Sequence, residues 1–177
     1  ADRATTMSAL LQAAGAAALA PLLALLVPLL LVRARRRGHA APTSPARPLR
    51  VVFLHPDLGI GGAERLIVDA ALALKRRGHS VLVQTAHHDP SRCFVETRDG
   101  SLDVRVAGAV VPRHVGGRLH IVCASIRSLA GALRLIALEP ACDVVVVDQV
   151  AVAVPLLRLA GLPTLFYCHF PDKLLAT

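Results

Sequence analysis

Short unbroken apolar runs alternate along this chain with longer stretches whose apolar residues recur at helical spacing. Leu49 to Leu54 is almost wholly apolar, as expected of a strand covered on both faces of a parallel sheet. From about Ala63 to Arg77 the period changes. Leu66, Ile67, Ala70, Ala71 and Leu74 fall on one stripe of a helix, Lys75, Arg76 and Arg77 suit its negative end, and Gly78 supplies its stop. Ser80 to Ala86 reads as a second strand, His87-His88-Asp89-Pro90 as a loop and Leu102 to Val106 as a short third strand. Leu119 to Leu138 forms a long helical pattern, Asp143 to Val147 a buried strand, Val150 to Leu159 a helix and Thr164 to Cys168 a last strand. This order predicts an α/β fold, a Rossmann-like open parallel sheet with right-handed crossovers. Ligands of such sheets lie beyond the carboxyl ends of the strands. His55 and Asp57, His87 to Asp89, Asp148 and Gln149, and the segment Tyr167 to Asp172 are therefore expected on one rim.

The first 49 residues follow a different pattern. Ser8 to Val32 carries no charge and is dominated by Ala, Leu and Val, long enough for the roughly 20 residues that cross a bilayer. Pro21 and Pro28 are tolerated in membrane helices. Arg33, Arg35, Arg36 and Arg37 follow at once, against a lone Arg3 before the run, so basic residues on the cytoplasmic side place the remainder in the cytosol. Residues 1–37 are thus expected to be one transmembrane helix with a basic flank. A cleaved secretory signal would want its charge before the apolar core, and this order is reversed, although His39-Ala40-Ala41 keeps that reading open. Residues 38–49, with Pro42, Pro45 and Pro48, read as a linker, and residues 50–177 as the Rossmann-like domain.

Charge and cysteines narrow the chemistry. Of the net +8, most belongs to residues 1–49, with six basic side chains against one acidic; the remainder has fourteen against eleven. With aromatics at 3% and no basic stripe in the globular part, nucleic acid is not an expected partner. Cys93, Cys123, Cys142 and Cys168 show no metal-ligand spacing, and successive side chains such as His87-His88 point apart in an extended loop with no Cys or carboxylate spacing to complete a ligand set, so no metal is expected. Two disulfides are conceivable in a secreted chain. Cys142 and Cys168 lie in or beside apolar runs typical of buried thiols, which favours reduced cysteines in a cytosol-facing domain.

The candidate chemistry centres on His55-Pro56-Asp57-Leu58-Gly59-Ile60-Gly61-Gly62-Ala63-Glu64-Arg65, which joins the first strand to the first helix. Glycines at such a turn let backbone N–H groups approach a phosphate at a helix N-terminus, or simply allow helix to pack on strand. A dinucleotide fingerprint would place an acid about 20 residues on, where Gln84 stands, and a Walker loop would need Gly-Lys-Ser/Thr, which is absent. Glu64 reads as a helix N-terminal carboxylate and Arg65 as a solvated face residue.

Four segments in order, Val51 to Arg65, Thr85 to Pro90, Asp148-Gln149-Val150 and Leu165 to Asp172, resemble the mannosyltransferases of dolichol-linked oligosaccharide synthesis, retaining glycosyltransferases of the GT-B class. That resemblance implies transfer of mannose from GDP-mannose to dolichyl-diphosphate-linked Man-GlcNAc2, first α-1,3 and then α-1,6, at the cytosolic face of the endoplasmic reticulum membrane. No cofactor is implied beyond the donor substrate. It implies that this chain is the acceptor-side N-terminal half, with the donor domain beyond Thr177, and inactive alone. Gly61 and Gly62 would approach the donor diphosphate, and His169 would act in catalysis by hydrogen-bonding the transferring sugar or orienting the acceptor hydroxyl. His55, Asp57, His88 and Asp172 become acceptor-side candidates. The implied partners are GDP-mannose, the lipid-linked oligosaccharide, the membrane and other mannosyltransferases of the pathway. A membrane-anchored partner that binds the lipid-linked acceptor or another mannosyltransferase without chemistry, and a nucleotide-binding oxidoreductase, are the competing readings.

Overall fold

The computed structural model describes residues 47–109, 111–116, 118–138 and 141–169, together with residues 27, 30, 33 and 34. The predicted anchor and most of the linker lie outside the described residues, apart from those four helical positions and the linker's last three residues. Arg33, one of the four, donates from Nη1 to the Leu159 carbonyl at 3.2 Å.

Five strands, β1 (Arg50–His55), β2 (Ser80–Thr85), β3 (Asp103–Val106), β4 (Val144–Asp148) and β5 (Thr164–Tyr167), form one sheet in the order β3-β2-β1-β4-β5. Every pairing is parallel. Three helices complete the described α/β unit: α1 (Gly62–Arg76), α2 (His120–Leu138) and α3 (Ala153–Leu159). A short 3-10 turn, Val95–Thr97, interrupts the loop before β3 and had no signal in the periodicity. The order reverses on either side of β1, which puts the crevice of a doubly wound sheet between the carboxyl ends of β1 and β4.

The unbroken apolar run of β1 is explained by the two layers that sandwich it. Val51 and Phe53 join Val81 and Val83 of β2 and Ile67, Val68 and Ala71 of α1 in one buried cluster. Val52 and Leu54 join Val145 and Val147 of β4, Ala132, Leu135 and Ile136 of α2, and Ala153 and Leu157 of α3 in the other. Alternate residues of one strand therefore feed opposite cores. α1 ends as its sequence predicts, with Lys75 and Arg76 in its last turn and Gly78 at φ +86° just beyond.

α2 is long and apolar enough to cross a membrane by length and composition. Its Gly131, Ala132, Leu135 and Ile136 are buried, with Ala132, Leu135 and Ile136 in the second cluster, while Ile121, Val122 and Ile126 are exposed. Gly131 allows the close approach: a Cβ there would meet Leu54 Cδ1 at 3.1 Å. Gln84, at the position where a dinucleotide site would carry its acid, is buried and donates from Nε2 to the Gly131 carbonyl at 2.6 Å. It is a fastener of helix to sheet.

Two expectations are corrected. Cys142 is buried, but Cys168 is exposed, because β5 is an edge strand whose Leu165, Phe166 and Tyr167 are also exposed. Arg65 is no free surface side chain. It bonds Asp69 and, from Nη1, Glu96 at 3.0 Å, and lies over the Phe94 ring at 5.0 Å, tying α1 to the loop before β3.

Candidate active site at the carboxyl rim of the sheet

β1 ends in His55 and β4 in Asp148, neighbouring strands whose register brings their last residues together. Both side chains are buried, each at 1% exposure, at the point where apolar strands give way to loops. His55 Nδ1 lies 2.7 Å from Asp148 Oδ2. His169, two residues beyond β5, brings its Nε2 within 3.0 Å of the same oxygen. A carboxylate accepts, so each imidazole donates, which places the proton of His55 on Nδ1 and that of His169 on Nε2. The opposite nitrogen of neutral His169 is then a hydrogen-bond acceptor on a ring that is about one-fifth exposed, its side chain at 18%. The ring is oriented by Asp148 and also stacks edge-on against Tyr167, with centroids 4.8 Å apart.

The other nitrogen of His55, Nε2, is buried without a hydrogen-bond partner, and Glu64 Oε1 stands 3.9 Å away, beyond hydrogen-bond reach. Glu64 belongs to the first turn of α1, so the glycine turn and the histidine cluster share a wall. The turn itself is held from outside the helix: Leu58, fully buried, donates its N–H to the His87 carbonyl at 2.9 Å, and Thr85 Oγ1 donates to that carbonyl at 3.0 Å. Gly61 is the N-cap in extended conformation, with no side-chain cap on the helix end, and its carbonyl accepts from Arg65 N at 3.0 Å. The first-turn N–H groups of α1 have no intrahelical acceptors, which makes this end a favourable place for negative charge. A Cβ on Gly61 would collide with the Glu64 carboxylate, whereas a Cβ on Gly62 would meet nothing within 4 Å.

Two cavities open on this rim. One, about 230 Å³, has Leu54, His55, Arg113, Arg127, Asp148 and Gln149 among its lining residues. The second, about 390 Å³ and more polar, is lined by Asp57, Gly59, Glu64, His87, Asp89 and Arg113 among others. Asp57, ion-paired with Arg113 at 2.7 Å, borders both. Gln149, directly after Asp148, holds φ +61°, a left-handed backbone that costs a non-glycine residue roughly 1–2 kcal/mol.

Of the residues singled out in the sequence, the fold gathers His55, Asp57, Gly61, Gly62 and His169 at one rim. His88 goes elsewhere: it lies in a separate cleft with Lys75, Pro90 and Asp103, and its Nε2 bonds Thr97 Oγ1 at 3.1 Å. Thr97 spends its own proton on the Phe94 carbonyl at 2.8 Å, so His88 is the donor. Asp172 lies outside the described residues. The sequence offered no role for Asp148 beyond a place on the rim, and none for Arg127. A charged residue closing the run Val144 to Val147 is the signal that marks Asp148.

Residues 60–176 match the family described as Glycosyltransferase Family 4. The chain belongs to that family. It is 52% identical over 132 residues to the alpha-1,3/1,6-mannosyltransferase ALG2 of Rhizomucor pusillus, a stretch covering 73% of this chain and 29% of that protein. To the protein of the same name in Homo sapiens it is 55% identical over 130 residues, covering 71% of this chain and 31% of that one. The chain therefore spans under a third of the length of these relatives. Among solved structures, the C-terminal domain of a hydrogenase from Pyrococcus furiosus shares the fold alone, at TM-score 0.50 and 15% identity over 70% of this chain and 94% of that domain.

Proposed function

We propose that this chain forms the acceptor-side wall of a retaining α-mannosyltransferase that moves mannose from GDP-mannose onto dolichyl-diphosphate-linked Man-GlcNAc2 at the cytosolic face of the endoplasmic reticulum. The observation that carries this reading is the buried Asp148 carboxylate bridging His55 and His169 beside an uncapped glycine turn. The relatives named mannosyltransferases supply the substrate class.

Each group has a task. The amides of Gly61 and Gly62 hydrogen-bond the donor diphosphate, and they stabilise the charge that builds on departing GDP. His169, its Nε2–H fixed on Asp148, offers Nδ1 to a hydroxyl of the transferring sugar or of the acceptor, holding it in line with the anomeric carbon. His55 locks Asp148 from the buried side. Asp57 and Glu64 line the approach.

The test replaces the matching segment of the Rhizomucor pusillus relative with this chain and follows radiolabelled mannose from GDP-mannose into the lipid-linked acceptor. Transfer at a rate within tenfold of the parent is expected. A folded graft that binds neither substrate and transfers no mannose would sink the reading.

A further inference from the structure

Arg127 on α2 is buried, 9% exposed, in the wall of the 230 Å³ cavity. Its Nη2 donates to the Ala86 carbonyl at 2.9 Å, while its Nε is buried with no acceptor at all. Burial first, and the charge of Arg113 second, pull this guanidinium below the ordinary arginine value against a smaller attraction from Asp57, although it stays protonated. The two carboxylates on the cavity wall are already engaged. Asp57 is paired with Arg113, and Asp148 accepts from two histidines. Among the described residues no carboxylate forms an ion pair with Arg127. A cation held this way opposes folding unless something anionic completes it.

We propose that this cavity is an anion subsite in which Arg127 binds a phosphate group of the lipid-linked acceptor through Nε–H and its remaining guanidinium N–H groups. The planar fork of arginine matches phosphate oxygens in pairs, and Arg113 and His120 add positive or donor groups at the same cavity. The position of the glycine turn favours the acceptor's phosphate over the donor's diphosphate. The glycine turn borders the other cavity through Gly59, and the Asp57–Arg113 pair stands between the two. The apolar part of the wall, Leu54, Pro56, Ala86, Ala107 and Ala124, suits the first carbons of a prenyl chain attached to that phosphate. The assignment to the acceptor rests on the mannosyltransferase reading above; the anion chemistry does not.

Binding of farnesyl diphosphate, inorganic pyrophosphate, farnesol and GDP to the full chain tests this without any mannose transfer. Farnesyl diphosphate is expected to bind at least tenfold more tightly than farnesol and to shift the side-chain Nε–H resonance of Arg127 in the unaltered protein. Arg127→Met is expected to weaken that binding tenfold or more with GDP affinity kept, and Arg127→Lys to restore part of it. An Arg127 resonance that moves with GDP and not with farnesyl diphosphate would overturn the acceptor assignment. A resonance indifferent to all phosphates would overturn the subsite. Farnesyl diphosphate binding in a chain whose graft transfers no mannose would support the subsite and remove the sugar reading; transfer without such binding would do the reverse.

Discussion

At the scale of single residues, the rim is organised by which nitrogen carries each proton. Asp148 settles this for His55 and His169, and Thr97 settles it for His88. His88 has its own consequence. Burial, then the neighbouring His87, holds its imidazole below the ordinary histidine value of 6.5, with Asp89 opposing. The unfolded chain therefore binds this proton more readily than the folded one. Its contribution to stability is complete above that ordinary value and is lost as pH falls through the lowered one. Thermal midpoints should drop between pH 7.5 and 5, and His88→Gln should flatten that drop. The depressed carboxylates Asp89, Glu96 and Asp99 release their contributions only at lower pH. An unchanged slope in the variant would place the pH response elsewhere. His55 and His169 were legible from their rim positions alone. Arg127 was not, because an arginine within a helical stripe reads as a side chain reaching for water, and only the packed cavity reveals that it does not.

At the scale of elements, the glycine turn separates what folding requires from what a ligand requires. Gly62 occupies the first position of α1 with open space where a Cβ would stand and without a positive φ. Folding does not need glycine there. Gly62→Ala is expected to leave stability unchanged or raise it by about 0.4–1 kcal/mol, because the unfolded chain loses freedom. In the graft the same change should raise the KM for GDP-mannose severalfold, since the methyl group intrudes where the diphosphate approaches. A stability loss with unaltered KM would mark the turn as purely structural. Gly61 is different, for its Cβ would displace the Glu64 carboxylate that flanks His55. The turn, the strands and the helix periods were plain in the sequence, since each is a local pattern. The Gln84 bond to Gly131 was not, because it joins residues 47 positions apart.

At the scale of the molecule, a sheet reversing order at β1 creates the crevice, and the ends of β1 and β4 and the loop leaving β5 bring His55, Asp148 and His169 together there. An open parallel sheet follows from the alternation of strands and helices and was readable in advance, but its strand order was not, because the same alternation fits more than one doubly wound order. The meeting of three side chains from three strand ends depends on register and burial, which no single segment encodes. The central claim is that Asp148 positions His169 for the transferred sugar or its acceptor. Turnover of the graft carrying His169→Ala or Asp148→Asn, compared with its thermal midpoint, tests it most directly. Loss of the hydrogen bond from a sugar hydroxyl to the neutral imidazole, about 0.5–1.5 kcal/mol, should lower kcat roughly 2- to 13-fold for His169→Ala. Asp148→Asn should lower it comparably, and the His169→Ala graft should remain folded. Wild-type kcat in a folded His169→Ala graft would contradict the account.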